Sequence, residues 1–403
     1  MTLRFILEDT ILQPQIKLQD RGAVTVTPSG GFRQLYIEPT SYCNLNCPMC
    51  LRRQRRDRDF GHMDIALFDK IIDELPESVG RVFFCGFGEP FCHPEILYMI
   101  SRAKERGRVV EIITNGTLLD EGLINGIIGV GLDKLWVSLD SLEEKSYTGI
   151  RAGASFRDVM KNIESLNTRR GWQTVIRTNM SELSLKLGVM FVMRKDNLNQ
   201  LNALFTRARS LGISDIKVTH LLPYNESQLG QICYERMLVG MMMAEEADRT
   251  RVDMPRVDIR DTVQNTTQPY YYWPAIEFSY MGADTPARRD YCKFVREGVT
   301  YVRWDGAVSP CMSLLYDNTV YQQRHQRVIT RCSFGDAGRQ SLSEIWDSEA
   351  YSGFRGRVER FDFSPCSRCG GCERFETNEE DCYGNQFPVC GPCLWAQGLI
   401  QCP

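Results

Sequence analysis

The chain has 403 residues, of which 48 are Lys or Arg and 51 are Asp or Glu, and its formal net charge is −3. This length is too great for one small core and fits two domains, or one large barrel with an appendage. The balanced charge argues against a nucleic-acid surface along the whole chain but leaves room for a local basic patch. The class of partner must therefore be predicted from individual sites.

Membrane insertion and secretion are not expected. No apolar run reaches the roughly 18 residues that cross a bilayer, and the longest candidate, residues 122–132, is better interpreted as a core helix. Acidic residues interrupt the first stretch, MTLRFILEDT, which lacks the build of a signal peptide. We therefore expect a cytoplasmic protein. Thiols stay reduced there, so its 16 cysteines indicate metal ligation or catalysis rather than disulfides.

The first two thirds of the chain have the pattern of an α/β fold. Residues 1–32 alternate weakly between apolar and polar and predict a short N-terminal β extension. Strand-like runs then alternate with amphipathic helices, and we predict six strands: LYIEP, RVFFCGF, VVEIIT, KLWVSL, KLGVMFVM and DIKVTHL. This order predicts a partial (βα)6 barrel of the TIM type over residues 33–225, in which chemistry collects at the carboxyl ends of the strands.

The pattern changes beyond the barrel. Residues 228–250 predict one long helix with a Met-rich packing face, and residues 254–290, rich in Pro, Tyr and Thr, predict an irregular linker. We assign residues 226–289 to this helix and linker. Residues 290–403 are rich in cysteine and poor in long elements, so metal is expected to hold them together.

Three cysteines, Cys43, Cys47 and Cys50, lie on the loop that follows the first predicted strand. A four-iron cluster normally takes one thiolate on each iron, so three protein ligands leave one iron open toward the barrel mouth. The alternative is a zinc site completed by His62. Zinc sites favour paired Cys-x2-Cys and His-x3-His spacings, so the cluster is the preferred interpretation.

The Cys-x3-Cys-x2-Cys spacing after the first strand resembles the loop of the radical SAM superfamily. The resemblance implies that S-adenosylmethionine (SAM) chelates the open iron through its amino nitrogen and carboxylate. Reduction of the cluster would then give a 5′-deoxyadenosyl radical that abstracts hydrogen from substrate, with Cys43, Cys47 and Cys50 as the catalytic ligands. Met49 departs from the aromatic residue usual at its position, and it would pack near the adenine.

The second strand ends in CGFGEPFCHPE, residues 85–95. Gly86 and Gly88 allow close approach of the backbone to a ligand, Glu89 can accept from an ammonium, and Pro90 stiffens the exit. By itself this is an ordinary turn. Its order resembles the Gly-Gly-Glu-Pro motif of the same superfamily, which implies a contact with the SAM amino group.

Later strand ends supply further candidates. Asn115 follows the third strand, and Ser138 and Asp140 end the fourth. Asn115 could instead belong to a turn, and Ser138 and Asp140 could be helix caps. The resemblance implies that these residues contact the ribose hydroxyls and the methionine carboxylate of SAM. Arg151 matches the arginine that pairs with that carboxylate through a bidentate fork. We expect adenine contacts from the fifth strand, without a named residue.

The run RRQRRDRD follows Cys50 directly. A solvated charged loop is the simpler interpretation. If the arginines face the mouth of the barrel, they would favour an anionic substrate such as a phosphate or an acidic peptide segment. Three other cysteines have no second cysteine at a spacing typical of metal ligands, and we predict that they pack in the core: Cys85, Cys233 and Cys332.

The cysteine-rich segment begins Cys-x13-Gly-x4-Cys, with a β-hairpin predicted before Cys311 and a capping box at Ser341 and Glu344. This order resembles the SPASM extension of radical SAM maturases, which implies one or two auxiliary four-iron clusters. Nine candidate ligands would compete for eight places: Cys292, Cys311, Cys366, Cys369, Cys372, Cys382, Cys390, Cys393 and Cys402. The first two would begin one site and the next three would belong to the other. A zinc module is the alternative, given the paired Cys-x2-Cys units.

SPASM enzymes mostly modify peptides or protein side chains. The ending CGPCLWAQGLIQCP and the early CPMCLRR more narrowly resemble maturases associated with tungsten-dependent oxidoreductases. We therefore expect maturation of such an oxidoreductase or its cofactor. The alternatives are a peptide maturase and, from another class, a non-catalytic iron–sulfur carrier or a zinc adaptor. The expected partners are a low-potential electron donor of the ferredoxin or flavodoxin type and a peptide, protein or anionic cofactor substrate, with neither membrane nor nucleic acid.

Overall fold

The computed structural model describes residues 31–55, 59–171, 184–234, 277–279, 292–322, 325–366 and 372–402. It contains the six predicted strands: β1 (Gln34–Ile37), β2 (Arg81–Phe84), β3 (Val109–Thr114), β4 (Lys134–Ser138), β5 (Lys186–Met193) and β6 (Asp215–His220). Each pairs in parallel with the next. The predicted α/β partial barrel is confirmed.

Helices follow the strands, in the order α1 (Leu51–Gln54), α2 (Ile65–Asp73), α3 (Ile96–Glu105), α4 (Glu121–Gly129), α5 (Glu144–Ile150), α6 (Phe156–Arg169) and α7 (Leu198–Arg207). Asp64, Asp120 and Ser155 accept hydrogen bonds from first-turn N–H groups of α2, α4 and α6, which fixes where these helices begin. The sequence prediction missed α5, which buries only Tyr147 and Ile150 and so has a weak apolar period.

Side chains of the barrel strands point alternately into two apolar cores. In β1, Leu35 and Ile37 belong to the large core shared with the helices, whereas Tyr36 belongs to a smaller core inside the barrel. Phe83 of β2 and Trp136 of β4 point the same way as Tyr36. Because side chains alternate between the faces of a strand, one strand can serve both the helical layer and the barrel interior.

The cysteine-rich segment continues the barrel sheet. Its elements are α8 (Lys293–Arg296), β8 (Val299–Val302), β9 (Ala307–Ser309), β10 (Asn318–Gln322), β11 (His325–Ile329), β12 (Gly335–Asp336), α9 (Leu342–Asp347) and α10 (Glu349–Arg360), and it is preceded by β7 (Glu277–Ser279). Strand β8 pairs in parallel with β1, and β7 pairs in parallel with β6. Within the described residues the barrel sheet therefore has ten strands, in the order β12-β9-β8-β1-β2-β3-β4-β5-β6-β7.

Two local predictions in this segment are confirmed. Strands β8 and β9 form the predicted antiparallel hairpin, with Cys311 two residues after its second strand. Ser341 and Glu344 form the predicted capping box at the start of α9.

The long helix predicted over residues 228–250 is wrong in its described part. Glu226–Gln231 form a short 3-10 helix, and Ile232 is extended. The Gln228 side chain accepts from the backbone N–H of Tyr224 and donates to the carbonyl of Pro48, so this segment turns back toward the cysteine loop. Residues 235–250, the β extension at residues 1–30, and the linker at residues 254–290 apart from β7 lie outside the described residues. None of the described helices is long and apolar enough to cross a membrane.

Candidate active site

A cavity of about 270 Å³ lies at the carboxyl ends of the barrel strands. Most of the residues predicted to hold the cluster and SAM line it: Cys43, Cys47, Met49, Cys50, Gly86, Gly88, Glu89, Asn115, Ser138 and Arg151. Pro90 and Asp140 do not line the cavity, and each supports a residue that does. The structure thus brings together motifs that are spread over more than a hundred positions of the chain.

The three-cysteine loop is fixed from both sides. The backbone N–H of Asn46 donates to Ala152 O (3.2 Å), and the Gln228 side chain donates to Pro48 O (2.7 Å). The N–H of Cys50 donates to Cys47 O (3.1 Å), which closes the turn from which α1 begins. The three cysteines therefore line one side of the cavity, on a short loop that these hydrogen bonds hold in place.

The chemistry of these thiols fits an iron–sulfur cluster. Burial raises the pKa of Cys43 to about 12 and raises that of Cys50 above its ordinary value, and a bound metal would replace the proton and favour the thiolates. Among the described residues, no three His, Cys, Asp or Glu side chains converge as ligands of a single metal ion. A cubane cluster attaches each thiolate to a different iron and does not require such convergence.

The glycines of the second strand end are required by protein contacts. A Cβ on Gly86 would lie 2.4 Å from Glu38 Cγ, and one on Gly88 would lie 1.9 Å from Thr40 O. The N–H of Glu89 also donates to Tyr42 O (2.8 Å). The loop therefore packs directly on the chain entering the cysteine loop, and only glycine permits this approach.

Replacing Gly88 by Ala tests this packing. We expect the added Cβ to displace the loop from Thr40 and to destabilise the protein by about 1–3 kcal/mol, with a weaker SAM affinity. Thermal unfolding and equilibrium dialysis with SAM measure the two effects. Gly149→Ala in α5 is the matched control, since its Cβ meets nothing within 4 Å. Wild-type melting and affinity for Gly88→Ala would contradict the packing argument.

Glu89 is a buried carboxylate at the centre of the site. It accepts hydrogen bonds from Thr114 Oγ1 (2.7 Å), Asn115 N (2.7 Å) and Phe91 N (3.2 Å). Burial raises its pKa to about 7 even though these bonds oppose the shift. Such a carboxyl group is suited to a cationic ligand, because an ammonium beside it favours its charged form. Pro90 begins the 3-10 turn that follows and is itself buried.

Asn115 ties the third strand end to the cysteine loop. Its Nδ2 donates to Asn44 Oδ1 (2.8 Å) and lies 3.9 Å from Cys43 Sγ, while its Oδ1 accepts from Thr117 N (2.9 Å). Ser138, at the end of β4, lines the same cavity. Asn115 and Ser138 therefore line the same cavity as the cysteine loop.

Asp140 acts on Arg151. It is fully buried, and its carboxylate accepts from Arg151 Nε (2.6 Å) and from Val192 N (2.7 Å). The Arg151 guanidinium lines the cavity. The ion pair holds this cation at the wall, in position for a carboxylate ligand.

The sequence did not identify several walls of the cavity. Met49 packs in one apolar cluster with Ile150, Leu221 and Leu222. Strand β5 contributes Val192 to the lining of the cavity. The remaining wall comes from β6 and the C-terminal residues: Thr219, His220, Trp395, Ile400, Gln401 and Cys402. No local sequence signal marks these residues, because contacts remote in sequence place them here.

A buried acid joins the glycine loop after β2 (residues 85–89) to the cysteine-rich segment. Glu38, directly after β1, accepts from the backbone N–H of Phe87 (2.8 Å) and from the hydroxyl of Tyr316. The Arg55 guanidinium lies 3.6 Å from the centre of the Tyr316 ring, and that of Arg303 lies 5.0 Å from it. Burial raises the pKa of Glu38 to about 7. This junction positions the glycine loop, and the only sequence signal for it was an acidic residue at a strand end.

Part of the basic run, residues 52–59, lines the cavity. Arg52 and Arg53 line the cavity, and Arg52 donates to Leu45 O within the cysteine loop. Arg55 is buried at the junction with Tyr316. Residues 56–58 lie outside the described chain. The run is therefore more than a solvated loop in its described part.

Four cysteines of the cysteine-rich segment are neighbours: Cys292, Cys311, Cys390 and Cys393. Burial raises the pKa of Cys311 well above its ordinary value, and the neighbouring charges of Cys393, Cys292 and Cys390 raise it further. The guanidinium of Arg327 opposes this effect at Cys390 and Cys393. These four thiols, which come from both ends of the segment, are thus neighbours of one another and of one cation.

The other cysteines separate into two places. Cys366 contacts Ser364 Oγ (2.9 Å), and burial raises its pKa, with a further effect from Cys382. The guanidinium of Arg327 opposes the shift at Cys366 too, so this cation lies between Cys366 and the first four thiols. Cys372 and Cys382 are exposed, and Cys369 lies outside the described residues. Cys402 instead lines the main cavity, with its thiol 3.4 Å from Met312 Sδ.

The thiols predicted to pack do so. Cys85 is buried inside the barrel with its sulfur 3.2 Å from the Tyr301 hydroxyl, and Cys332 is buried in the apolar cluster that contains Met49. Cys233 is half-buried, outside any described helix, with its thiol 3.9 Å from Gln231 O.

The partial barrel, the three-cysteine loop and the cysteine-rich extension define a radical SAM enzyme with an auxiliary iron–sulfur domain. The Radical SAM superfamily matches residues 37–181, and SPASM, an iron–sulfur cluster-binding domain, matches residues 292–373. The chain belongs to the radical SAM superfamily. Its barrel domain binds a 4Fe–4S cluster and SAM, and its SPASM domain binds iron–sulfur clusters.

Among characterised proteins, the chain is similar to a tungsten-containing aldehyde ferredoxin oxidoreductase cofactor-modifying protein of Pyrococcus furiosus. The two are 29% identical over 380 residues, 92% of this chain and 97% of that protein. A PqqA peptide cyclase of Gluconobacter oxydans is 25% identical over 86% of this chain and 84% of its own. Streptococcus suis SuiB bound to SAM has the same fold, with a TM-score of 0.58 and 17% identity over 88% of this chain and 73% of its own.

Proposed function

We propose that this enzyme uses radical chemistry to modify a tungsten-dependent oxidoreductase or its cofactor. The observation that carries the proposal is the similarity to the Pyrococcus furiosus cofactor-modifying protein, which extends over almost the full length of both chains. Similarity of this extent includes the barrel, the cavity and the cysteine-rich segment together, so it concerns the substrate side of the site as well as the cluster loop.

Each group at the barrel mouth has a proposed task. When bound, the cluster and SAM supply a 5′-deoxyadenosyl radical that abstracts hydrogen from substrate. Cys43, Cys47 and Cys50 hold the cluster on its braced loop. Glu89 accepts from the SAM ammonium, and Arg151, held by Asp140, pairs with its carboxylate.

The rest of the wall orients SAM and excludes water. Asn115 and Ser138 face the ribose hydroxyls, and Met49 packs toward the adenine with Leu221 and Leu222 behind it. Gly86, Gly88 and Pro90 set the path of the loop that carries Glu89. A rigid apolar wall keeps water away from the radical. This exclusion, with the orientation of SAM, is what the protein contributes to the reaction.

An anionic substrate is favoured by the basic residues at the cavity. Arg52 and Arg53 line it directly after the cluster loop. Guanidinium groups recognise phosphate and carboxylate through paired hydrogen bonds. We therefore propose an anionic cofactor, or an acidic segment of the oxidoreductase, as the group that enters the cavity.

Two auxiliary clusters are proposed in the SPASM domain. The first is held by Cys292, Cys311, Cys390 and Cys393, whose thiols lie together. The second is held by Cys366, Cys369, Cys372 and Cys382. Two of these are exposed, which suits entry of electrons from a donor of the ferredoxin or flavodoxin type. Cys402 is then the ninth candidate left over.

A peptide maturase is the second candidate function. It is favoured by the similarity to PqqA peptide cyclases, which also extends over most of both chains. The experiment that separates the two uses the anaerobically reconstituted full chain, SAM and a chemical reductant. It measures 5′-deoxyadenosine formed with a tungsten-dependent aldehyde oxidoreductase in its cofactor-loaded and cofactor-free forms.

We expect the cofactor-loaded oxidoreductase to raise the rate at least about tenfold, because a bound substrate completes the closed cavity in which cleavage is productive. The extracted cofactor should then change in mass. Stimulation by the cofactor-free protein alone, with a mass change in a peptide, would instead identify a peptide maturase. A chain that forms no 5′-deoxyadenosine with any of these would contradict both.

A further inference from the structure

One buried cation lies between the two groups of cysteines in the cysteine-rich segment. Arg327 belongs to β11 and is 4% exposed. Burial lowers its pKa to about 10, and the charges of Cys393, Cys390 and Cys366 oppose this shift. The guanidinium therefore stays protonated near pH 7. It carries its charge beside two thiols of the first group and one thiol of the second.

Two backbone carbonyls hold the guanidinium in place. Its Nε donates to Phe375 O (2.9 Å), and its Nη2 donates to Thr377 O (3.1 Å). The 3-10 turn Glu373–Glu376, which carries Phe375, begins directly after Cys372, and the N–H of Phe375 donates to Cys372 O (2.8 Å). The cation is thus fixed to the backbone that leaves the second cysteine group.

The same backbone is tied to the first group through Asn378, which is fully buried. Its carbonyl accepts from the N–H of Val389 (3.0 Å), the residue that precedes Cys390. Its Oδ1 accepts from the N–H of Thr330 (2.9 Å), which directly follows β11. These bonds fix β11 relative to both cysteine groups, so the fold itself sets the position of the guanidinium.

No carboxylate of the described chain pairs with Arg327. By contrast, Arg151 pairs with Asp140, and Arg303 pairs with Asp305. The groups that favour the charged form of Arg327 are all thiols. A buried cation without an anion is costly. The missing negative charge would come from the thiolates of bound clusters, because a four-iron cluster with four thiolates is an anion.

A fixed cation has a defined effect on such a cluster. Reduction adds one electron to the cluster, supplied by the donor of the ferredoxin or flavodoxin type, and makes its charge more negative by one unit. A nearby positive charge favours the more negative form and so raises the reduction potential. The guanidinium loses no proton in this step, because it remains charged near pH 7. One cation beside two clusters raises both potentials.

We propose that Arg327 is the shared counter-ion of the two auxiliary clusters and raises the reduction potentials of both, which brings both within reach of one low-potential donor. Arg327 does not line the main cavity, so it acts through the clusters and not on SAM or substrate. This inference rests on the proposed grouping of the cysteines and does not depend on the identity of the substrate.

Arg327→Gln tests the charge, because glutamine keeps an N–H donor for a carbonyl and removes the cation. In the anaerobically reconstituted full chain, the equilibrium constant for one-electron reduction of each auxiliary cluster should fall about tenfold or more. A tenfold fall is a shift of about 59 mV to lower potential. Redox titration followed by electron paramagnetic resonance measures the shift, and Cys311→Ala and Cys382→Ala assign the two signals.

Arg327→Lys separates the charge from the local structure. Lysine keeps the cation, so each potential should move by less than half of the shift in Arg327→Gln. The cluster on the Cys43 loop is an internal control in every sample. The charges near Cys43 and Cys50 do not include Arg327, so the signal of that cluster should keep its potential.

Arg355→Gln is the matched control for a buried arginine. Arg355 is also 4% exposed, and it donates to a carbonyl, Trp346 O (2.7 Å). Burial lowers its pKa, and the charges that oppose this shift belong to Tyr351, Asp347 and Glu359, not to cysteines. This variant should leave both auxiliary potentials at their wild-type values.

Unchanged potentials in Arg327→Gln, or equal shifts in Arg327→Gln and Arg327→Lys, would overturn the proposal by showing a structural arginine. A shift in one signal alone would overturn the shared role. If Arg327→Gln loses iron, Arg327→Lys decides the question: full iron content with wild-type potentials supports the counter-ion, and the same loss of iron overturns it.

The outcomes also separate this inference from the proposed function. The titrations contain no substrate, so an oxidoreductase that fails to stimulate the enzyme would overturn the proposed function and leave the role of Arg327 intact. Cysteine variants that place Cys366 and Cys390 in one cluster would overturn the grouping, and the shared counter-ion with it.

Discussion

Replacing Cys43, Cys47 or Cys50 by Ala is expected to reduce the formation of 5′-deoxyadenosine from SAM to below about one thousandth of the wild-type rate. In the proposed arrangement each thiol binds a different iron, so the loss of one would leave a cluster that cannot be held on the loop. Iron content should fall by about four atoms per chain. Anaerobic assays with a chemical reductant and iron determination on the same samples measure both effects.

Cys233→Ala is the matched control for this prediction. Cys233 is half-buried, contacts Gln231 O and does not line the cavity, so its loss should leave iron content and cleavage at wild-type values. Cleavage that persists in the Cys43, Cys47 and Cys50 variants would contradict the assignment of these residues as cluster ligands. Equal losses in Cys233→Ala would show a general effect of cysteine removal.

Removing any one of Cys292, Cys311, Cys390 and Cys393 is expected to eliminate one auxiliary cluster and the same one in each case. The four thiols are neighbours, and a cluster that loses one of its four ligands has no SAM to occupy the open iron and should not survive isolation of the protein. Iron content should fall by about four atoms per chain, and electron paramagnetic resonance of the reduced protein should lose the same signal in all four variants.

Cys402→Ala supplies the contrast. Its thiol lies against Met312 in the main cavity, so we expect iron content and the resonance signals to remain as in the wild type. A loss of iron in Cys402→Ala, or the loss of different signals among the four variants, would refute the grouping. It would return Cys402 to the set of ligand candidates from which the sequence could not exclude it.

Much of the site was predictable because its parts are local. The three cysteines lie within eight positions, and the glycine loop and the ends of β3 and β4 are each marked by a few adjacent residues. The period of apolar residues located β3 and β5 at their observed bounds. A parallel α/β order brings strand ends to one edge, so residues at these ends could be expected to meet.

Other parts were not predictable because they depend on contacts between distant residues. The hydroxyl of Tyr316 reaches Glu38 across 278 positions, and Gln401 reaches Thr219 across 182. Nothing in the local pattern of either residue indicates its partner. The same limit explains why α5, with two buried side chains, was missed.

The sequence by itself determined the barrel, the cysteine loop and most of the residues that line the cavity, since each follows from a short pattern and its order along the chain. The tertiary structure decided that Cys292, Cys311, Cys390 and Cys393 are neighbours, that β8 extends the barrel sheet beside β1, and that Cys402 and Trp395 belong to the cavity. The physical reason is that packing of the last residues against β6 depends on the shape of the whole barrel, which spacing along the chain does not encode.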